Sequence, residues 1–128
     1  MIHTHSTHLV ALTLQGVWCA ADILPPLTSY YVMKVGHVPL IPYHRPGPAV
    51  GDCVAGVIDA ARQVGCPILA VMLDRLGPNV WHASPAEAMA TLEELEKTAT
   101  LLLMSGKAAQ PLASAQLDEL RRVFGARW

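Results

Sequence analysis

The stretch Ile68-Leu69-Ala70-Val71-Met72-Leu73 is an unbroken apolar run with the length of a single strand. Gly65 and Pro67 precede it and Gly77-Pro78 follows it, and residues of these two types end regular structure. A short apolar run bounded in this way predicts a buried strand. Such a strand places the chain among the layered α/β domains.

Helices are predicted on both sides of this strand. Before it, apolar residues three and four apart form one stripe between Val50 and Val64. After it, Ser84-Pro85-Ala86-Glu87 has the residues that start a helix: Ser at the N-cap, Pro at the first position and Glu at the third. The apolar stripe of this second helix continues to Leu102, and Gly106 ends the helix.

The remaining elements are marked less sharply. Tyr30-Tyr31-Val32-Met33-Lys34-Val35 is rich in aromatic and β-branched residues, which favours a strand. The others, in chain order, are a strand at 1–5, a helix at 9–14 capped by Ser6 or Thr7, an edge strand at 38–43, a strand at 79–81 and a helix at 117–124. The predicted order is therefore β-α-β-β-α-β-β-α-α.

Composition limits the function classes. The 128 residues suffice for one domain, 1–128, and 52% apolar against 15% charged residues argues against disorder. A net charge of −1 gives no basis for a nucleic-acid partner. No apolar run is long enough for a membrane span, and no Lys or Arg precedes the apolar stretch 9–21, so we expect neither a membrane segment nor a signal peptide. Cys19, Cys53 and Cys66 predict buried thiols in a reducing compartment, the cytoplasm.

The chemistry is concentrated at the start of the chain, in His3-Thr4-His5-Ser6-Thr7-His8. On a strand, His3 and His5 point to the same side with backbones about 6–7 Å apart, so both imidazoles can reach one cation. A solvated, non-binding tail is the alternative. A catalytic metal normally takes three protein ligands, so the pair requires a third donor from elsewhere.

Three segments of the chain carry a resemblance to a known family. They are His3-Thr4-His5-Ser6-Thr7, the stretch Leu24-Pro25-Pro26-Leu27-Thr28-Ser29-Tyr30-Tyr31-Val32-Met33 and the stretch Pro42-Tyr43-His44-Arg45-Pro46-Gly47. Together with the helical segment 93–99, they resemble the class II aldolase/adducin family. The nearest branch decarboxylates 3-oxo-tetronate 4-phosphate, a β-keto sugar-acid phosphate. The resemblance covers nearly the whole chain but only the C-terminal portion of a family member, so we expect an N-terminally truncated member.

The resemblance implies a three-layer α/β/α fold, here incomplete, and a homo-oligomer, typically a tetramer. It implies a divalent metal, usually zinc, bound by His3, His5 and a third histidine in an Asn-His-Gly motif. That motif falls on Arg75-Leu76-Gly77, where leucine cannot bind a metal. In the family the metal acts as a Lewis acid on the keto oxygen. Tyr30 or Tyr31 is the implied proton donor, with packing of both rings as the alternative.

Several residues remain open as a replacement third ligand. Asp74, His8 and His82 are the candidates, while His37 and His44 lie in loops and are expected to be surface histidines. The charge run Glu93, Glu94, Glu96 and Lys97 is expected to be a solvated helix face. Two other functions also remain open: a catalytically silent member acting as a structural or interaction domain, and a related sugar-phosphate aldolase or epimerase.

Overall fold

Four strands form one sheet in the computed structural model, which describes residues 1–128. Their order across the sheet is β1-β4-β3-β2. The strands are β1 Ile2–His3, β2 Leu40–Ile41, β3 Ala70–Leu73 and β4 Gly77–Val80. β1 and β3 are antiparallel to β4, and β2 is parallel to β3. The predicted edge strand is confirmed at Leu40–Ile41, because β2 pairs on one side only.

Five helices surround this sheet, and they are α1 Thr7–Gln15, α2 Ser29–Lys34, α3 Pro48–Gln63, α4 Pro85–Met104 and α5 Ser114–Phe124. None of them combines the length and the apolar character that a membrane crossing requires. The predicted start of α4 is confirmed: the Ser84 hydroxyl accepts the Glu87 amide proton at 3.2 Å. The Ser84 hydroxyl also donates to the Glu87 carboxylate, which lowers the pKa of Glu87.

The central strand β3 separates two apolar clusters, which gives the molecule its three layers. Ala70 and Met72 belong to the larger cluster, with side chains of α1, α2 and α4. Val71 and Leu73 belong to the smaller one, with Val54 of α3. Alternate side chains of a strand point to opposite faces, so the strand is buried on both sides. The predicted buried strand and the α/β/α layering are thus confirmed.

The prediction of a strand at 30–35 is wrong, because these residues lie in or next to helix α2. Thr28 has extended backbone, and its hydroxyl accepts the Tyr31 amide proton at 3.1 Å, as an N-cap does. Tyr31 and Val32 are buried, and Tyr31 belongs to the larger cluster, with α4 residues. Tertiary burial therefore outweighs the weak β preference of the aromatic and β-branched residues.

The start of α1 is capped by a residue from another helix. The N-cap Ser6 makes no side-chain capping bond. Instead, the Glu96 carboxylate of α4 accepts the amide protons of His8 at 3.0 Å and Leu9 at 3.1 Å. The expectation of a solvated charge run is therefore wrong for Glu96, since it satisfies helix amides that would otherwise lack partners.

The C-terminal residues pack on a loop. The Trp128 ring stacks on His37, with ring centroids 4.5 Å apart, and His37 Nδ1 lies 2.8 Å from the Asp22 carboxylate. His37 is thus a packed residue and not the surface histidine expected. The three cysteines are unbridged, and the expectation of buried thiols is wrong: Cys19 is exposed, and Cys53 and Cys66 are only half-buried.

Candidate metal centre

The two predicted metal ligands lie side by side. The rings of His3 and His5 have centroids 5.3 Å apart and meet edge to face. His3 ends the short strand β1, and His5 follows in backbone that is still held to β4, where the Thr4 amide donates to the Pro78 carbonyl at 3.4 Å. The expected same-side arrangement of residues i and i+2 therefore occurs here.

The orientation of His3 is set by a backbone group that the sequence did not indicate. His3 Nδ1 lies 3.0 Å from the Pro78 carbonyl oxygen. A carbonyl only accepts, so Nδ1 carries the proton and Nε2 has its lone pair available. Metal-binding histidines are commonly held by a bond of this kind on the second ring nitrogen. The only signal in the sequence was the Gly77-Pro78 pair, which opens the strand that faces β1.

Gly77 permits the close approach of the strand that carries the histidines. A Cβ at this position would lie 1.9 Å from the Thr4 carbonyl oxygen, and φ is +142°, a conformation that L side chains rarely adopt. Only glycine fits between β4 and the segment from His3 to His5. The glycine of the family's Asn-His-Gly pattern thus has a structural reason to be present here.

Leu76, which the resemblance aligns with the family's third histidine, lies beside both members of the histidine pair. It lines the groove of about 470 Å³ that contains His3 and also the groove of about 480 Å³ that contains His5. Its side chain packs against the smaller apolar cluster and carries no donor atom. No group of three His, Cys, Asp or Glu side chains in the structure is arranged to hold a metal ion.

The other residues considered as third ligands do not join the histidine pair. His8 Nδ1 lies 2.8 Å from the Glu96 carboxylate, and His82 Nδ1 lies 3.1 Å from the Glu87 carboxylate. Asp74 lies in the turn between β3 and β4, where its amide donates to the Ile41 carbonyl at 3.0 Å. None of the three forms a set with His3 and His5.

Arg75 places a positive charge in the groove that contains His5. It lines the groove that contains His5 and adopts a left-handed backbone conformation, with φ of 59°. The guanidinium is always charged, so it disfavours a divalent cation in this groove and favours an anion. Two imidazoles, an alkyl side chain and a guanidinium do not make the donor set of a catalytic metal.

The two candidate tyrosines differ sharply in their surroundings. Tyr30 is 61% exposed, whereas Tyr31 is fully buried and its hydroxyl has no hydrogen-bond partner. Burial, with a smaller contribution from the negative charge of Asp22, raises the pKa of Tyr31 well above its usual value. Neither residue lines the grooves of His3 and His5.

The chain is a layered α/β domain with a histidine pair at the edge of its sheet, and comparison with known proteins identifies its family. Residues 1–103 match the Class II Aldolase and Adducin N-terminal domain. The chain therefore belongs to the class II aldolase and adducin family.

Individual proteins of known name or structure are also similar to this chain. The chain is 54% identical to 3-oxo-tetronate 4-phosphate decarboxylase from Cupriavidus necator, and the match covers all of this chain and 58% of that protein. The solved structure of YgbL from Klebsiella pneumoniae is 38% identical with a TM-score of 0.79, and the match covers 93% of this chain and 55% of that one. L-fuculose 1-phosphate aldolase, at 17% identity and a TM-score of 0.66, shares the fold. The chain thus spans little more than half the length of these relatives.

Proposed function

We propose that this chain carries part of a carbon–carbon lyase site that releases CO₂ from a β-keto sugar-acid phosphate, the reaction type in the name of the Cupriavidus relative. The observation that supports it is the His3–His5 pair, with rings 5.3 Å apart and His3 oriented by the Pro78 carbonyl. Since position 76 offers no donor, the third ligand has to come from outside the Arg75-Leu76-Gly77 turn.

The proton donor that we propose is Tyr30. Loss of CO₂ from 3-oxo-tetronate 4-phosphate leaves an enediolate, and protonation of its carbon gives dihydroxyacetone phosphate. A donor must come within hydrogen-bonding distance of that carbon. Of the two tyrosines only Tyr30 is open to solvent, whereas the hydroxyl of Tyr31 is enclosed in the core.

The proposal extends to the oligomeric state, the cellular location and the metal. We expect the chain to form a homo-oligomer, a tetramer, in the cytoplasm. We expect the metal to be zinc once a third donor is present, since imidazole is a suitable ligand for zinc. Large apolar side chains that the structure leaves exposed include Met1, Leu14 and Tyr30.

A second candidate is a family member without catalysis that acts as a structural or interaction domain. Leu76 and Arg75 favour it, because they replace a ligand with an alkyl group and add a positive charge. The fold tolerates both residues, since Leu76 packs on apolar neighbours. The two candidates differ in one measurable property, the ability of the histidine pair to hold a metal.

The test is the metal content of the purified chain beside two variants, His3→Ala/His5→Ala and Leu76→His. Release of CO₂ from 3-oxo-tetronate 4-phosphate is measured on the same preparations. About one equivalent of zinc in the parent, lost in the double variant and accompanied by CO₂ release, supports the lyase site.

Two other results contradict that assignment. Zinc bound by Leu76→His alone means that Leu76 has emptied the site, and the non-catalytic candidate then holds. Zinc absent from all three proteins means that the histidine pair is not a metal site in this chain.

A further inference from the structure

A histidine–cysteine pair joins α3 to the loop before it, and neither residue lines the grooves of His3 and His5. Cys53 Sγ is 3.8 Å from His44 Nε2, and His44 Nδ1 is 2.7 Å from the Pro42 carbonyl oxygen. The carbonyl only accepts, so Nδ1 carries the proton, and the lone pair of Nε2 faces the thiol. This is the arrangement that activates a nucleophilic thiol: a base in contact with it and a third group that orients the base.

The position of Cys53 allows small reagents to reach the sulfur. Cys53 lies on α3 and is half-buried, its neighbours Gly51 and Asp52 are exposed, and the buried Val54 follows it. The thiol thus lies at the margin of the smaller apolar cluster.

We propose that Cys53 is a site of oxidation by peroxides, with His44 as the base that accepts the thiol proton. The sulfur attacks one oxygen of hydrogen peroxide, the S–O bond forms and the O–O bond breaks. The thiol proton passes to His44 Nε2 and from there to the departing hydroxide, which leaves as water. Sulfur is oxidised by two electrons to a sulfenic acid and the peroxide is reduced by the same two.

The other two cysteines provide internal controls. Cys19 is exposed and Cys66 is half-buried like Cys53. The bond between His44 and Cys53 is the one histidine–cysteine hydrogen bond in the structure. Exposure alone therefore predicts that Cys19 reacts first, whereas the proposal predicts that Cys53 reacts first.

The experiment treats the reduced chain with substoichiometric hydrogen peroxide and traps sulfenic acid with dimedone. Peptide mass spectrometry then gives the labelling rate at all three cysteines in one sample. We expect Cys53 to be labelled about 10-fold faster than Cys66, and faster than Cys19. Labelling in order of exposure, with Cys19 first, would overturn the proposal.

A His44→Ala variant tests the role of the base. We expect the rate at Cys53 to fall about 10-fold, the rate at Cys19 to stay the same, and free imidazole to restore part of the loss at Cys53. Rescue by imidazole separates a missing base from a displaced helix, which added imidazole cannot repair. An unchanged rate at Cys53, or a loss that imidazole does not restore, contradicts the assignment of His44.

Discussion

At the scale of the residue, the turn between β3 and β4 decides what the site can do. Arg75, Leu76 and Gly77 occupy it, and each has a different role. Gly77 allows the His3–His5 segment to approach, Arg75 has a backbone conformation unusual for its type, and Leu76 provides an alkyl group where a donor would be required. The turn thus combines a glycine that the packing requires with two side chains that offer no metal donor.

Replacement of Gly77 should damage both stability and the histidine pair. In Gly77→Ala the new Cβ would overlap the Thr4 carbonyl oxygen, so β1 must move away, and we expect a loss of about 3 kcal/mol or more in the free energy of unfolding. Gly65→Ala is the matched control, because φ is also positive there but the space is open, and it should cost about 1 kcal/mol. Denaturant titration measures the free energy of unfolding of both variants. Equal losses would contradict a clash between the new Cβ and the Thr4 carbonyl oxygen.

Arg75 should be replaceable with a gain in stability. With φ of 59°, a residue other than glycine is strained, and asparagine tolerates this conformation best. Arg75→Asn is expected to raise the free energy of unfolding by about 0.5–1 kcal/mol, since the backbone bond from the Arg75 amide to the Thr13 hydroxyl remains possible. Arg45→Asn, on an exposed loop without positive φ, should change little. If Arg75→Asn did not raise the stability measured by thermal unfolding, the backbone at position 75 would not be strained.

At the scale of the element, α1 depends on α4. Ser6 is at the N-cap of α1 without making a capping bond, and Glu96 supplies two acceptors across the gap between the helices. His8 Nδ1 contacts the same carboxylate at 2.8 Å. The segment with the histidine pair leads directly into α1, so this cap also holds the end of that segment in place.

Removal of the Glu96 charge should loosen the start of α1. In Glu96→Gln one carboxylate oxygen becomes an amide nitrogen, which cannot accept an amide proton, and we expect a loss of about 1 kcal/mol. Hydrogen exchange at His8 and Leu9 should become faster than at the rest of α1. Glu93→Gln, an exposed position on the same helix, is the control and should leave both measurements unchanged. Equal behaviour of the two variants would show that the cap contributes nothing.

At the scale of the whole molecule, the core encloses one polar side-chain atom without a hydrogen-bond partner. The Tyr31 hydroxyl is buried, near the Trp128 ring and the negative charge of Asp22. The folded protein keeps this hydroxyl protonated, because both burial and Asp22 oppose the phenolate. The stability of the folded protein should therefore depend on pH in the alkaline range.

Tyr31→Phe should stabilise the protein and remove part of its alkaline sensitivity. Above pH about 10 the unfolded chain releases the Tyr31 proton while the folded chain retains it, so stability falls as pH rises. Without the unpaired hydroxyl we expect a gain of about 1 kcal/mol at pH 7 and a smaller fall between pH 9 and about 11. Tyr30→Phe, at an exposed position, should match the parent in denaturant titrations across this range. If the stability of Tyr31→Phe and of the parent changed with pH in the same way, folding would not raise the pKa of Tyr31.

Local patterns in the sequence determined much of the fold. The apolar run at 68–73 marked the doubly buried strand, Ser84 and Glu87 marked the start of α4, and spacing placed His3 and His5 on one side. These features depend on neighbours in the chain, through side-chain periodicity and capping, so they can be read from the sequence.

Other features were decided only by the tertiary structure. Tyr31 lies in a helix because burial beside α4 outweighs a weak local preference, and Glu96 caps a helix 88 positions away in the sequence. The bonds of His3 to Pro78 and of His44 to Cys53 arise where separate segments meet. Contacts of this kind carry no periodic signal, because they depend on how the elements pack and not on the order of residues within them.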